Sequence, residues 1–426
     1  MRGERRAVIV ICDSLRADLI GPEDTPFLCQ LAGRAASFAK HRSVFPSTTR
    51  ASAASIATGC RPARHRLLGN TMALDEGEGL VCRSAGHPDF PDRLRRTTGR
   101  TLHVPTMAER LRRHDEVSVS CANVSPGAAY FQDPDGHGFV YHAAGSYGPG
   151  RVPIDDPQSA ALKKGILGDG AMTERFCGEI IEERAPALSI LWLSEPDYSG
   201  HHSPLGSPRH REAIRHADRC VRQVFETVRR LDPAGDDILF VTGSDHGMES
   251  VTEAIDLDAL LVAAGLKKGP GSREIVVAPN GTAATLYFAE PDGALPARVA
   301  QFLEGQEWAG EVFAGPALAR VGLPTDSAMR VAVSLAGDGE PNRHGVPGRA
   351  PIVFDPADTE SKIGFGQHGG LGPHEQHPFL MIEGGGFMPG VRHAPSSLID
   401  IAPTVMRHLR MDHDDMDGAA LPLAAL

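Results

Sequence analysis

Cysteine is sparse in this sequence and forms no pattern. The seven residues, at 12, 29, 60, 82, 121, 177 and 220, make an odd number and contain no Cys-x-x-Cys motif. That argues against a thiolate zinc framework or a disulfide-stapled secreted module, so reduced thiols in a cytoplasmic protein are expected. Long apolar runs are also missing. The first, AVIVIC at 7–12, follows a basic leader but stops at Asp13. It is too short for a signal-peptide core or a membrane span, and no later stretch does better. Positive charge is in deficit: 43 Lys and Arg against 54 Asp and Glu leave a formal net charge of -11, which argues against a nucleic-acid scaffold. No low-complexity or single-charge tract points to extended disorder, and there is no internal repeat.

What is present reads as a large α/β enzyme. A hydrophobic fraction of 41% over 426 residues supports a sizeable core. AVIVIC, EVSVSCAN, ALSILWL, DDILFVTG and HPFLMIEG are short apolar runs with the texture of buried strands. Between them lie helical patterns: TPFLCQLAGRAASFAK, GAMTERFCGEIIEERAP, the long SPRHREAIRHADRCVRQVFETVRRL and the closing SLIDIAPTVMRHL. A further helix is expected to begin near Thr49, after the turn FPST. Strands alternating with helices predict a mostly parallel sheet sandwiched by helices. The texture changes between about 250 and 360, where REIVVAPNGTAATLYF is β-rich, LPARVAQFLEG is helical and Gly/Pro-rich loops follow to about 350. The expected organisation is a catalytic core at 1–250 and 361–426, with an inserted α+β cap at 251–360.

In open α/β sheets, ligands bind beyond the carboxyl ends of the strands. Asp13 follows the first strand there. Asp197 and His201 follow ALSILWL, Asp245 and His246 follow DDILFV, and His368 lies in GFGQHGG just before the last strand. Carboxylate oxygen and neutral imidazole nitrogen suit zinc or manganese. Three Asp and three His exceed what one tetrahedral ion takes but suit two, which at ~4 Å separation can clamp an in-line displacement at phosphorus. Gly200, Gly247, Gly366, Gly369 and Gly370 stand beside these ligands and are expected to let the backbone approach the ions. Thr49 is the candidate nucleophile, since a helix N-terminus offers free N–H groups to an anion and a cation beside its hydroxyl would ease deprotonation.

VIVICDSLR, FPSTTRASAASIATG, SEPDYSGHH, GSDHGM and GQHGG resemble, in order, the motifs of the alkaline phosphatase superfamily. The type I phosphodiesterase/nucleotide pyrophosphatase branch is the nearest, with phosphonoacetate hydrolase close to it. The resemblance runs from about residue 7 to 407 and is weakest through the cap. It implies two zinc ions, one among Asp13, Thr49, Asp245 and His246 and the other among Asp197, His201 and His368. Ligand type alone also allows manganese. It further implies that Thr49, rather than Thr48 or Ser47, attacks phosphorus and carries a covalent phospho-intermediate that water hydrolyses. His368 matches the motif where its neighbours His374 and His377 do not.

Departures bear on substrate. The family segment Thr-Phe-Pro-Asn is here Thr49-Arg50-Ala51-Ser52. Ser52 takes the place of the asparagine that helps hold a phosphoryl oxygen. Arg50 is new, and its guanidinium could bind a more highly charged group bidentately. The segment ARHRLLGN retains His65 and offers Asn70 as a substrate-loop residue. The leading expectation is hydrolysis of phosphodiester or nucleotide pyrophosphate bonds in a small substrate. The alternative is a phosphonate or phosphomonoester at the same site. A sulfatase would use Cys60, in Cys60-Arg61-Pro62-Ala63-Arg64, but that cysteine follows the helix that Thr49 opens. A phosphoryl transferase and a catalytically decayed binding protein are weaker still, because the lipid-modifying transferases of the family carry membrane helices and every metal-binding position is intact. A homodimer is left open.

Overall fold

The computed structural model describes residues 5–424. Most of the basic leader, residues 1–4, lies outside them. Ten strands form one sheet, in the order Gly390–Arg392, Ala36–Phe38, Leu380–Glu383, Ile238–Gly243, Arg6–Cys12, Leu188–Leu193, Ser118–Ala122, Phe139–Tyr141, Ser146–Gly148 and Val152–Ile154. Its centre is parallel: Arg6–Cys12 pairs in parallel with both Leu188–Leu193 and Ile238–Gly243, and Leu188–Leu193 with Ser118–Ala122. Leu380–Glu383 runs antiparallel against Ile238–Gly243.

The central strands are buried at every position but Arg6 and mostly apolar because both faces are covered. Ala7, Ile9, Ile11, Ile190 and Trp192 pack on one side with Ile56, Leu111, Ile401 and Val405. Val8, Val10, Cys12, Leu191 and Phe240 pack on the other with Phe27, Phe176, Ile214, Val221 and Phe225. The long amphipathic pattern forms the helix Pro208–Leu231, opened by Ser207, whose side chain accepts from the His210 N–H. Asp218 on this helix reaches across to accept the N–H groups of Phe27 and Leu28 at 3.0 and 2.8 Å. It thereby caps the helix Pro26–Ala32, whose own Thr25 makes no side-chain cap bond.

Two sequence expectations change. TPFLCQLAGRAASFAK is not helical throughout: the helix stops at Ala32, and Ala36–Phe38 joins the sheet beside Leu380–Glu383. The Gly/Pro-rich stretch up to about 350 is not loop. It contributes Ala309–Ala314, Met329–Leu335 and Pro347–Val353 to two four-stranded sheets. One of these is the antiparallel set Ile275–Pro279, Ala283–Phe288, Met329–Leu335 and Ala309–Ala314. One face of it packs on Leu261, Val299 and Leu303. The other packs on Phe45, Leu68 and Leu74, which flank the nucleophile segment. Among the described residues no helix is long and apolar enough to cross a membrane, and all seven cysteines are free.

Asp218→Ala should lower unfolding stability by ~1–3 kcal/mol, the range for leaving buried donors unpaired. Denaturant midpoints at constant slope would show it, with turnover per folded molecule unchanged.

Candidate active site

The carboxyl edge of the parallel strands gathers the chemistry-bearing residues. Asp13, directly after Arg6–Cys12, is buried. Its Oδ2 accepts from Trp192 Nε1–H at 3.0 Å, and its backbone carbonyl accepts the Asp197 N–H at 3.1 Å. Ser14, the next residue, has φ of 61°, a conformation side chains other than glycine rarely adopt. That turn directs its N–H to Asp245 Oδ1 at 3.2 Å. Asp197 opens the short helix Asp197–Gly200.

Three imidazoles face these acids with their roles set by their backbones. His246 Nδ1 lies 3.0 Å from the Gly247 carbonyl, His201 Nδ1 lies 3.1 Å from Gly366 O, and His368 Nδ1 lies 2.7 Å from Ser47 O. A ring nitrogen against a carbonyl must carry the proton, so each neutral ring turns the lone pair of Nε2 towards the carboxylates. His246 Nε2 is 3.1 Å from Asp245 Oδ2 and 3.5 Å from Asp13 Oδ1. Asp197 Oδ1 is 3.3 Å from His201 Nε2 and 3.7 Å from His368 Nε2. The His246 and His368 rings stack with centroids 3.7 Å apart.

The ligand atoms fall into two sets. Asp13, Asp245 and His246 form one; Asp197, His246 and His368 form the other, and within each the atoms lie within 4.8 Å of one another. His201 joins the second set through Asp197. His246, expected on one side only, borders both.

Asp13 Oδ1, Asp245 Oδ2 and Asp197 Oδ1 are buried and accept no hydrogen bond. Such oxygens are costly inside a protein unless a cation meets them. Burial and the charges of Asp245 and Asp197 push the Asp13 carboxyl well above its usual range. Burial would raise Asp197 as well, but His201, His368 and His246 pull it below. Burial disfavours charge on His246, yet the neighbouring Asp245 and Asp197 raise it. Burial and His246 drive His368 well below its usual value. A neutral His368 is a competent ligand, and orphaned carboxylate oxygens facing Nε2 lone pairs are a donor set that fits divalent metal.

Thr49 is the first residue of the helix Thr49–Thr58, and its Oγ1 sits 3.2 Å from His246 Nε2. Arg50, beside it, donates Nε–H to Ser125 Oγ at 2.9 Å and packs its guanidinium against Gly86. No ion pair to it occurs among the described residues, and burial lowers its pKa although Asp197, Asp13 and Asp245 favour the cation. The Asn70 side-chain oxygen accepts the Arg50 backbone N–H at 3.2 Å, which leaves its NH2 without a bond among the described residues. Arg50, Asn70, His201 and His368 line one end of a cavity of about 570 Å³. The stretch between 250 and 365 lines it as well, with apolar Ala254, Ile352, Val353 and Phe354 and charged Asp355, Asp358, Glu360 and Lys362.

Ser52 stands elsewhere than the motif comparison suggests. It is fully buried behind the metal residues, with Oγ 3.4 Å from the Asp245 carbonyl, and does not line the cavity. His65 is a core residue bonded to Ser55 Oγ and the Leu67 N–H. His374 pairs with Arg16 and Asp18, and His377 bonds the Pro373 carbonyl. Cys60 lies past the far end of the Thr49 helix, beyond Gly59. A Cβ on Gly247 would meet His374 O at 2.1 Å and one on Gly369 would meet Asn280 O at 1.7 Å. At these two positions the missing side chain lets neighbouring site loops pack closely.

Sequence reasoning missed Trp192, Asn280 and Glu375. Trp192 reads as one more apolar residue of a buried strand. Asn280 accepts the Asn70 N–H at 2.7 Å and the Thr71 N–H at 3.2 Å, a role visible only once the chain is folded. Glu375 sits in the histidine-rich stretch where only the histidines invite a ligand reading.

No curated protein sequence matches the chain. Among solved structures, an inactive variant of murine ectonucleotide pyrophosphatase/phosphodiesterase 5 in complex with AMP superposes with a TM-score of 0.68 at 17% identity, covering 98% of this chain and 96% of that one. Phosphonoacetate hydrolase from Sinorhizobium meliloti, in complex with phosphonoformate, gives 0.67 at 17% identity over 95% and 96%. These likenesses establish a shared fold. The sequence profile of the type I phosphodiesterase/nucleotide pyrophosphatase family matches residues 7–312, and with most of its length so matched the chain belongs to that family.

Proposed function

We propose that this chain is a two-metal hydrolase of phosphodiester or nucleotide pyrophosphate bonds, with Thr49 as nucleophile. The observation that carries the reading is the pairing of buried, unbonded oxygens of Asp13, Asp245 and Asp197 with imidazole Nε2 atoms, directly beside the Thr49 hydroxyl. Asp13, Asp245 and His246 would hold one ion and Asp197, His201 and His368 the other. Zinc suits the mixed N/O set best, with manganese as the alternative. When bound, the ions supply positive charge against the oxygens of the reacting phosphoryl group.

The protein's own groups account for the rest. The first turn of the helix that begins at Thr49 would offer an anion the N–H groups of Thr49 and Ala51, since that of Arg50 is donated to Asn70 and that of Ser52 to the Thr48 carbonyl. Thr49 Oγ1, within hydrogen-bond reach of His246, attacks phosphorus as its proton leaves to solvent; its P–O bond forms as the bond to the leaving oxygen breaks, and that oxygen takes up a proton from solvent. Water then cleaves the phospho-threonine and returns the hydroxyl. Asn70, held by the Arg50 N–H and by Asn280, presents its NH2 to a phosphoryl oxygen. The cavity is larger than a phosphoryl group alone needs, which leaves room for an ester or nucleotide group on phosphorus.

Arg50 favours a second reading, hydrolysis of a phosphonate or phosphomonoester. An arginine without a carboxylate partner beside the nucleophile suits a substrate with more charge than a diester. The deciding experiment compares zinc-reconstituted turnover of a chromogenic phosphodiester, the matching phosphomonoester and an unesterified phosphonate, the last two being dianions where the diester is a monoanion. Diester preference supports the first reading; monoester or phosphonate preference replaces it with the second.

Thr49→Ala should abolish turnover of all three while folding and metal content persist. Turnover near wild type in that variant would exclude Thr49 as nucleophile. Asp245→Ala or His246→Ala should abolish turnover and release metal, and wild-type rates in chelated, zinc-free buffer would refute the metal reading. Arg50→Ala should lower kcat/KM for the more highly charged substrate by ~10–100-fold, the scale of a charged hydrogen bond, and change the diester rate little. Equal losses on both would remove Arg50 as a charge reader.

A further inference from the structure

Glu375 is 1% exposed and touches no substrate-lining residue, yet more bonds converge on its carboxylate than on either acid of the Asp13–Asp245 pair. Its Oε2 accepts the N–H groups of Gly369 at 2.7 Å and Gly370 at 3.0 Å and the Thr282 hydroxyl at 2.6 Å, with Ser47 Oγ further off at 3.5 Å. Its Oε1 accepts the Gly372 N–H at 3.0 Å. Successive backbone N–H groups aimed at one anion form a concave nest, here filled by the protein's own side chain.

The donors come from three segments that each carry part of the site. Gly369 and Gly370 follow His368 directly. Ser47 precedes the nucleophile by two residues, and its carbonyl fixes His368 Nδ1 at 2.7 Å. Its hydroxyl also donates to Gly370 O at 2.9 Å and accepts the Gly369 N–H at 3.1 Å. Thr282 belongs to the 280–282 turn, where its N–H bonds the His368 carbonyl at 3.3 Å and Asn280 holds Asn70. A carboxylate can bind the three glycine N–H groups and the Thr282 hydroxyl at once; a neutral amide of the same volume offers one oxygen and turns an NH2 against a donor.

We propose that Glu375 is a positioning residue that locks His368 into ligand geometry and ties its loop to the Thr49 turn and to the 280–282 turn. Affinity for the ion on the Asp197–His201–His368 side then depends on a residue that never touches the ion. This inference rests on the two-metal reading above.

The test is stepwise Zn2+ affinity by chelator competition, with Co2+ spectra of the same full-length proteins. Wild type is expected to bind two ions. Glu375→Gln should weaken one of them by ~10–100-fold, as loss of an outer-shell partner does, and perturb only that site's cobalt bands. The loss should vanish in a His368→Ala background, where the ligand it positions is gone. Thr282→Val, which deletes one of the bonds, should weaken the same ion to a smaller degree and stands in if the glutamine variant does not fold. Unchanged affinity in the variants, equal weakening of both ions with a lowered Tm, or a loss that persists in full beside His368→Ala would each overturn the inference. A wild-type chain that binds fewer than two ions would instead bring down the two-metal reading and this inference with it.

Discussion

Unpaired carboxylate oxygen in a buried place is the constraint around which this molecule is arranged. Asp13, Asp197 and Asp245 each keep one oxygen that accepts no hydrogen bond; the other oxygen of Asp13 accepts from Trp192 and that of Asp245 from the Ser14 N–H, while the free Asp197 oxygen faces His201 Nε2. Each neighbouring imidazole is turned by a backbone carbonyl so that its lone pair joins theirs. No packing of apolar groups could relieve that concentration of lone pairs; cations do. The parallel strands bring the acids to one edge, and the loops between 366 and 377 bring His368 over the top. Thr49 gains its environment from the same arrangement.

Much of this was legible in the sequence, for identifiable reasons. Fully covered parallel strands read as unbroken apolar runs, so Arg6–Cys12, Leu188–Leu193 and Ile238–Gly243 stand out, and the residues after them are by topology at the ligand-binding edge. The six Asp and His positions and Thr49 follow from that rule and from motif order. Pattern failed where tertiary partners decide. Ala36–Phe38 continues a helical texture but becomes a strand because an antiparallel edge is available to it. The strands Ala309–Ala314 and Met329–Leu335 are hidden by the Gly/Pro-rich loops around them. Ser52 aligns with a substrate-contacting position yet turns inward to the Asp245 carbonyl, since the motif gives register but not side-chain direction.

The stretch between 250 and 365 is not a passive cover. It supplies apolar and charged residues to the cavity lining, and its 280–282 turn is wedged between the Asn70 loop and the His368 loop, where a Cβ on Gly69 would meet the Asn280 side chain and one on Gly369 the Asn280 backbone carbonyl. One short turn therefore bonds both the Asn70 segment and the His368 segment. Arg50 adds to this mixed polar and apolar cavity a guanidinium with no carboxylate partner among the described residues, next to Thr49, where the remaining charge of a phosphoryl group would lie. The family sets the reaction type, and these local departures bear on which phosphorus compound is taken.

The central claim is that the clustered acids and imidazoles exist to hold two cations. Anomalous diffraction at the zinc edge, from crystals of the zinc-reconstituted chain, tests it directly. The account predicts two peaks, one among Asp13, Asp245 and His246 and one among Asp197, His201 and His368. No peak there, or a single ion seated away from these six residues, would contradict it.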